Sequence, residues 1–252
     1  MSERLQDDTG APVEVPASVR RVVSLVPSLT ESVAVTAPGL LVGATDWCSH
    51  PGDLVVTRVR GTKNPALQVI ADLRPDLVLA NAEENRPEDL ATLREWGLSV
   101  WVTYPTTVPE ALLSLSRMLT ACRLDRPGWL DQACEQWAQP WTGPRRRAVV
   151  PIWRRPWMAV GSGTFTGDVL ERLGVDNVLA QDPERYPKVD LAQLPPHELV
   201  VLPDEPYAFS PTDGPECFDQ PSVCVSGRHL TWYGPSLAQA RGLLLEQLST
   251  SG

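Results

Sequence analysis

Seven aromatic residues carry most of the recognition chemistry this chain offers. Trp47, Trp153, Trp157, Tyr186, Tyr207, Trp232 and Tyr233 mostly fall just after apolar runs that read as buried strands. Aromatic rings placed there form stacking faces for a flat or macrocyclic ligand, or else pack strand ends against neighbouring helices. Polar groups stand beside them. Asn81-Ala-Glu-Glu-Asn-Arg86 follows a buried strand directly, so Glu83, Glu84 and Arg86 either bind ligand, form a salt bridge across a cleft, or make a solvated loop. Asp204-Glu205 is the matching acidic pair later in the chain, and Arg154-Arg155 lies within reach of pairing with Glu83 or Glu84. Thr62 and Lys63 sit in a turn before a helix, where an ammonium contacts ligand amides or phosphate, or nothing.

Catalytic and metal signatures are sparse. The sequence has no nucleophile elbow, phosphate loop, dinucleotide fingerprint or zinc-protease helix motif. A Glu84–Asp204 acid–base pair is conceivable chemistry, but the reading is a non-enzyme. His50, His197 and His229 are the three histidines. His50 with Asp46 and His229 is the one combination suited to a metal, and a plain surface histidine is the expectation; His197, beside two prolines, is expected to be exposed. Five cysteines without a CxxC pair read as free thiols.

The elements that hold these residues alternate between strand and helix. Arg21–Pro27 and Leu40–Ala44 read as strands. Ser28 and Glu31 have capping-box spacing, opening a helix from about Leu29 to Val35. Leu67–Leu73 reads as a helix, Asp76–Asn81 as a buried strand, and Asn85 as the cap of a helix ending near Gly97. The strand Ser99–Tyr104 and a capping box at Thr107–Glu110 follow, with a helix to about Cys122. Pro127–Gln139 reads as one more helix with Trp129, Ala133 and Trp137 on its core face. A second alternation contains strands at Ala148–Trp153, Trp157–Gly161 and Leu199–Asp204, an edge strand at Ser222–Ser226, and helices at Phe165–Leu173 and Pro235–Leu248.

That alternation implies an α/β fold: two α/β lobes bridged by a single long helix, with an interlobe ligand cleft. The expected division is an N-terminal lobe at 1–122, a bridging helix and linker at 123–146, and a C-terminal lobe at 147–252. Net charge is −9, from 22 basic and 31 acidic residues, which excludes the basic footprint of a nucleic-acid surface. No apolar run is long enough to span a bilayer. The opening Met-Ser-Glu-Arg-Leu lacks a basic stretch followed by an apolar core, so a cytoplasmic location is expected.

Several segments resemble the helical-backbone periplasmic receptors that bind ferric siderophores, haem and cobalamin. They are Asp8–Pro16, Arg21–Glu31, Val42–Pro51, Gly61–Pro65, Leu73–Asn81, Pro151–Trp157, Leu202–Tyr207 and Leu230–Pro235. The resemblance implies a non-catalytic binder of cobalamin or a related corrinoid, or the substrate-binding component of an ABC transporter, with an enzyme or metal binder reusing the fold as a further alternative. It implies a bound corrinoid as ligand and no required cofactor. It places Trp47 and Trp157 on the ligand ring from opposite lobes, with Tyr186 as a further cleft aromatic and Ser28 at the site. Thr62 stands where the pattern has a Trp. Gln68 and Ala192 stand where such receptors carry the glutamates that dock a membrane permease, with Asp190 as a nearby substitute; two neutral residues make that docking doubtful.

Overall fold

The computed structural model describes residues 2–249, so Met1 and residues 250–252 lie outside the described residues. In chain order the first part holds β1 (Ser2–Gln6), β2 (Pro12–Pro16), β3 (Val22–Ser24), α1 (Pro27–Thr36), β4 (Leu41–Ala44), β5 (Thr57–Arg58), β6 (Arg60–Gly61) and β7 (Asn64–Pro65). It continues with α2 (Leu67–Asp72), β8 (Leu77–Asn81), α3 (Pro87–Glu95), β9 (Val100–Thr103), α4 (Val108–Ala121) and α5 (Gly128–Trp137). The rest holds β10 (Arg146–Val149), β11 (Pro151–Trp153), β12 (Met158–Ala159), α6 (Phe165–Glu171), β13 (Val175–Asn177), β14 (Leu199–Pro203), β15 (Ser222–Val225), α7 (Gly227–Thr231) and α8 (Leu237–Ser249).

Two compact units share the chain. The first comprises the residues up to Pro105, Ala111–Asp131 and Tyr233–Pro235; the second comprises Thr106–Glu110, Gln132–Trp232 and the residues from Ser236 onward. The first unit is built on a five-stranded parallel sheet of order β5-β4-β3-β8-β9. Its interior strand β8 is buried at all five residues, as a parallel strand covered on both faces must be. Val23, Val78, Ala80, Val100 and Val102 meet Ile70, Leu90 and Leu93 of the covering helices in one core. Each fully buried side chain of this size contributes about 1.5–3 kcal/mol.

The second unit has a four-stranded parallel sheet of order β13-β10-β14-β15. Strand β15 lies at the edge, as its sequence suggests. The apolar run from Ala148 to Trp153 is expected as one strand, but it divides. Val150 separates β10 from β11, and β11 leaves the parallel sheet to pair antiparallel with β12.

Helix starts match expectation only in part. At α4 the Glu110 amide donates to Thr107 Oγ1 (3.3 Å) and the Thr107 amide donates to Glu110 Oε2 (3.2 Å), so that capping box forms in both directions. At α1 it does not. Pro27 takes the first helical position, for which its fixed φ is suited, so the cap moves back to Val26 and Ser28 falls inside the helix. Asn85 is likewise not the cap of α3. Arg86 holds that position, while Asn85 turns inward at 2% exposure. Helix α5 buries Leu130, Ala133 and Trp137; Trp129 is half-buried and donates its indole N–H to Thr36 Oγ1 (3.0 Å).

Strands β1 and β2 form a hairpin that the sequence does not announce, because Ser2–Gln6 has no alternating apolar face. Asp7 closes its turn, its Oδ1 accepting from the Thr9 and Ala11 amides, and Gly10 adopts φ +79° there.

Candidate ligand-binding site

In an open parallel sheet, ligands bind beyond the carboxyl ends of the strands where the strand order reverses. Each unit has one such point. In the first unit the chain leaves β3 to one side for β4 and returns to the other side as β8. In the second it leaves β10 for β13 and returns as β14. The loops after β3, β4 and β8, and after β10 and β14, therefore carry the candidate residues.

In the first unit Asn81 organises the loop after β8. Its Oδ1 accepts from the amides of Glu83 (2.8 Å) and Glu84 (3.1 Å). Its Nδ2 donates to the Thr103 carbonyl (3.1 Å) and to the Tyr233 hydroxyl (2.7 Å). The Thr103 hydroxyl donates to the Ala80 carbonyl (3.1 Å) and shares a 2.9 Å bond with the Tyr233 hydroxyl. Tyr233 is thus a buried strut, and burial with Glu84 nearby raises its pKa.

Asn85 completes the loop. Its Oδ1 accepts from the Asn81 amide (2.9 Å), and its Nδ2 donates to the carbonyls of Thr62 (3.1 Å) and Leu25 (3.4 Å). Lys63 Nζ donates to the Glu83 carbonyl (2.5 Å). Burial raises the Glu84 carboxyl to a pKa of about 7, opposed by the Lys63 charge and assisted by Glu83. Arg86 pairs loosely with Glu88 at 4.0 Å.

Trp47 follows β4 and is 68% exposed, an unusual position for so large an apolar ring. Its indole lies over Gly61, where an added Cβ would sit 3.3 Å from Trp47 Nε1. Ser28 is buried at 3% exposure beneath Gly234, and its hydroxyl finds no hydrogen-bond partner among the described residues.

The second unit treats its aromatic residues differently. Trp157 stacks on Phe209 (5.9 Å, 5°) and meets Phe218 edge-on (5.5 Å), and the Arg154 guanidinium lies 5.5 Å from its ring centroid. Tyr207 packs against Phe209 and, edge-on, against Trp153, and donates its hydroxyl to Asp213 (2.7 Å). Arg154 is expected to reach Glu83 or Glu84; it pairs with Asp213 and Glu216 (2.8 Å), two carboxylates of its own unit on the segment between β14 and β15. Trp153 is the exposed member, at 43%.

After β14, Asp204 accepts from the Gly227 amide (2.6 Å) and Glu205 accepts from the Trp232 indole (2.8 Å). Burial raises the Glu205 pKa while that indole bond opposes the shift. Trp232, at 9% exposure, serves this buried contact. Tyr186 lies elsewhere, lining a depression of about 470 Å³ with Met158, Asp182 and Lys188.

Asn81, Asn85, Thr103, Asp213 and Glu216 organise these loops without having been singled out. The Asn81–Asn85 spacing after a buried strand was the available signal for two of them. His197 is half-buried rather than exposed, with Nδ1 against the Pro195 carbonyl (2.8 Å). His50 and His229 have Ser49 and Ser226 as ring partners, and no group of three metal-ligating side chains gathers among the described residues.

No family model matches the chain. A protein of Vibrio cholerae serotype O1 named vitamin B12-binding protein is 23% identical over 189 residues, covering 71% of this chain and 68% of its own. The vitamin B12-binding protein of Photorhabdus laumondii is 24% identical over 253 residues, covering 94% of this chain and 90% of its own. Among solved structures, the periplasmic vitamin B12 binding protein of Vibrio cholerae superposes with a TM-score of 0.74 at 20% identity, covering 94% of this chain and 99% of that one. A periplasmic heme-binding protein of Roseiflexus sp. RS-1 gives 0.74 at 18% identity, covering 93% and 99%.

The chain has the α/β fold of these binding proteins. These relatives are named for ligand binding, and the matched structures are of periplasmic proteins. That overturns the expectation of a cytoplasmic protein. The expectation rested on the composition of the first residues, which reports nothing about how the folded body is used. No helix among the described residues is long and apolar enough to cross a membrane.

Proposed function

We propose that this protein is a non-catalytic binder of a flat macrocyclic ligand, with cobalamin or a related corrinoid as the first candidate. Among the described residues three indoles are exposed, Trp47 at 68%, Trp96 at 47% and Trp153 at 43%. The observation that carries this reading is that two of them, Trp47 after β4 and Trp153 at the end of β11, lie on the chain that follows a parallel strand, while Trp96 closes helix α3. An indole held in water is costly unless something covers it, and a macrocycle is large and flat enough to do so. The vitamin B12-binding relatives support the corrinoid choice, and the heme-binding neighbours make haem its competitor. Each unit also offers polar groups after a strand for a ligand's rim: Glu83, Glu84 and Arg86 after β8, and Asp204, Glu205 and Tyr207 after β14. Trp157 supports Trp153 from beneath through the Tyr207–Phe209 ring pair.

Delivery to a membrane permease would be the transport form of the same function. Gln68 is exposed and donates to Asp72 (2.9 Å), while Asp190 is occupied in accepting from Ala192 and Gln193. Any docking through these positions therefore lacks the strong charge-assisted pair that a free glutamate makes.

Tryptophan-fluorescence titration with cyanocobalamin, cobinamide, hemin and a ferric siderophore tests the reading. Saturable quenching by a corrinoid is expected, with Trp47→Ala and Trp153→Ala each raising Kd about tenfold, equal to ~1.4 kcal/mol. Unchanged affinity in both variants would remove the stacking model, and hemin binding in preference to the corrinoids would reassign the ligand.

A further inference from the structure

The Trp47 platform is not held by its own loop alone. Three backbone and side-chain ties join that loop to the β6–β7 hairpin and its approach. The Asp46 amide donates to the Arg60 carbonyl (2.9 Å), and Arg58 Nη1 donates to the carbonyls of Thr45 and Cys48 (2.9 Å each). Gly61 of the hairpin forms the floor under the indole.

The other side of the hairpin is tied to the loop after β8. Lys63 Nζ donates out of the turn to the Glu83 carbonyl and Asn85 Nδ2 donates into it at the Thr62 carbonyl, so successive turn residues are tied to the loop after β8 by bonds of opposite direction. The Asn85 end is anchored in turn through Asn81 to Tyr233. The Lys63 end is flanked by the Glu84 carboxyl, whose charge attracts the ammonium.

From this chain of contacts we propose that Lys63 and Asn85 are positioning residues: they clamp the β6–β7 hairpin, and the clamped hairpin sets the plane of the Trp47 indole. The proposal rests on the binding function above for its purpose, since the platform is the face on which the ligand stacks. Lys63 thereby tunes affinity without touching the ring system. A two-χ indole packed edge-on against a glycine takes its angle from where that backbone lies, so the hairpin's position sets it.

Fluorine NMR of protein labelled with 5-fluorotryptophan reads this without any ligand. The Trp47 resonance is assigned by its loss in Trp47→Phe. Lys63→Met should shift and broaden that resonance, and Lys63→Arg, which keeps a donor for the Glu83 carbonyl, should return it to the wild-type position. In parallel, Kd for cyanocobalamin should rise about fivefold in Lys63→Met and return to within about twofold in Lys63→Arg. Lys63 is exposed, so the urea midpoint should not change in either variant, and the readouts report position rather than folding. A Trp47 resonance unmoved by Lys63→Met overturns the proposal, as does failure of Lys63→Arg to restore it. If wild-type protein binds no cyanocobalamin, the corrinoid reading falls while the resonance still decides whether Lys63 positions the ring.

Discussion

The family resemblance implies like roles for Trp47 and Trp157, yet the two units use them in opposite ways. In the first unit the indole lies against Gly61, and the ties that hold its loop and the hairpin are polar: an amide, a guanidinium, an ammonium and two asparagines. In the second unit the indole is clasped by Phe209, Phe218 and Arg154, and the exposed position passes to Trp153. One residue type is therefore an exposed face in one unit and a packing element in the other. Exposure, and not residue type or order, separates the two roles.

Truncation should break the equivalence most visibly. Trp157→Ala removes a ring from the aromatic cluster of the second unit and should lower unfolding free energy by about 3 kcal/mol in a urea titration. Trp47→Ala, which leaves the core untouched, should stay within about 0.5 kcal/mol of wild type in the same titration. Equal losses would erase the distinction.

A smaller effect should distinguish the polar platform by pH. Glu84 has a folded pKa near 7, raised by burial from its ordinary value, so the folded state holds a proton that the unfolded state releases. Stability is then greatest below the unfolded pKa, falls as pH rises toward 7, and levels off above it. Glu84→Gln should flatten this slope, raising stability relative to wild type by about 2 kcal/mol at pH 8 and by little at pH 5. A wild-type protein whose urea midpoint rises between pH 5 and pH 7 through Glu84 would contradict this placement. The smallest change concerns the strut: Tyr233→Phe deletes the hydroxyl bonded to Asn81 and Thr103 and should cost about 1 kcal/mol. No measurable cost would mean that the platform's polar support does not extend to that residue.

The strand–helix alternation and the two parallel sheets were legible because the buried strands are near-continuous apolar runs, with Leu77–Asn81 and Leu199–Pro203 the clearest. The β1–β2 hairpin was not, since its outer strand is exposed and held by a turn carboxylate rather than by an apolar face. Candidate site residues could be placed at strand ends from the sequence, but their burial could not. Whether an aromatic residue after a strand faces solvent depends on rings that arrive from elsewhere, as Phe209 and Phe218 reach Trp157. Asn85 has the composition of a helix cap and the geometry of a strap, a choice made by Pro87, which lets the helix start without it.

Tyr233 also fixes when the first unit can be finished. Its phenol belongs to that unit by packing, yet it is encoded after nearly all of the second. The strands β3, β4, β8 and β9 are complete in sequence long before that residue, yet Asn81 and Thr103 lack their final partner without it. A polypeptide ending before Tyr233 would carry the sheet without its completed polar support.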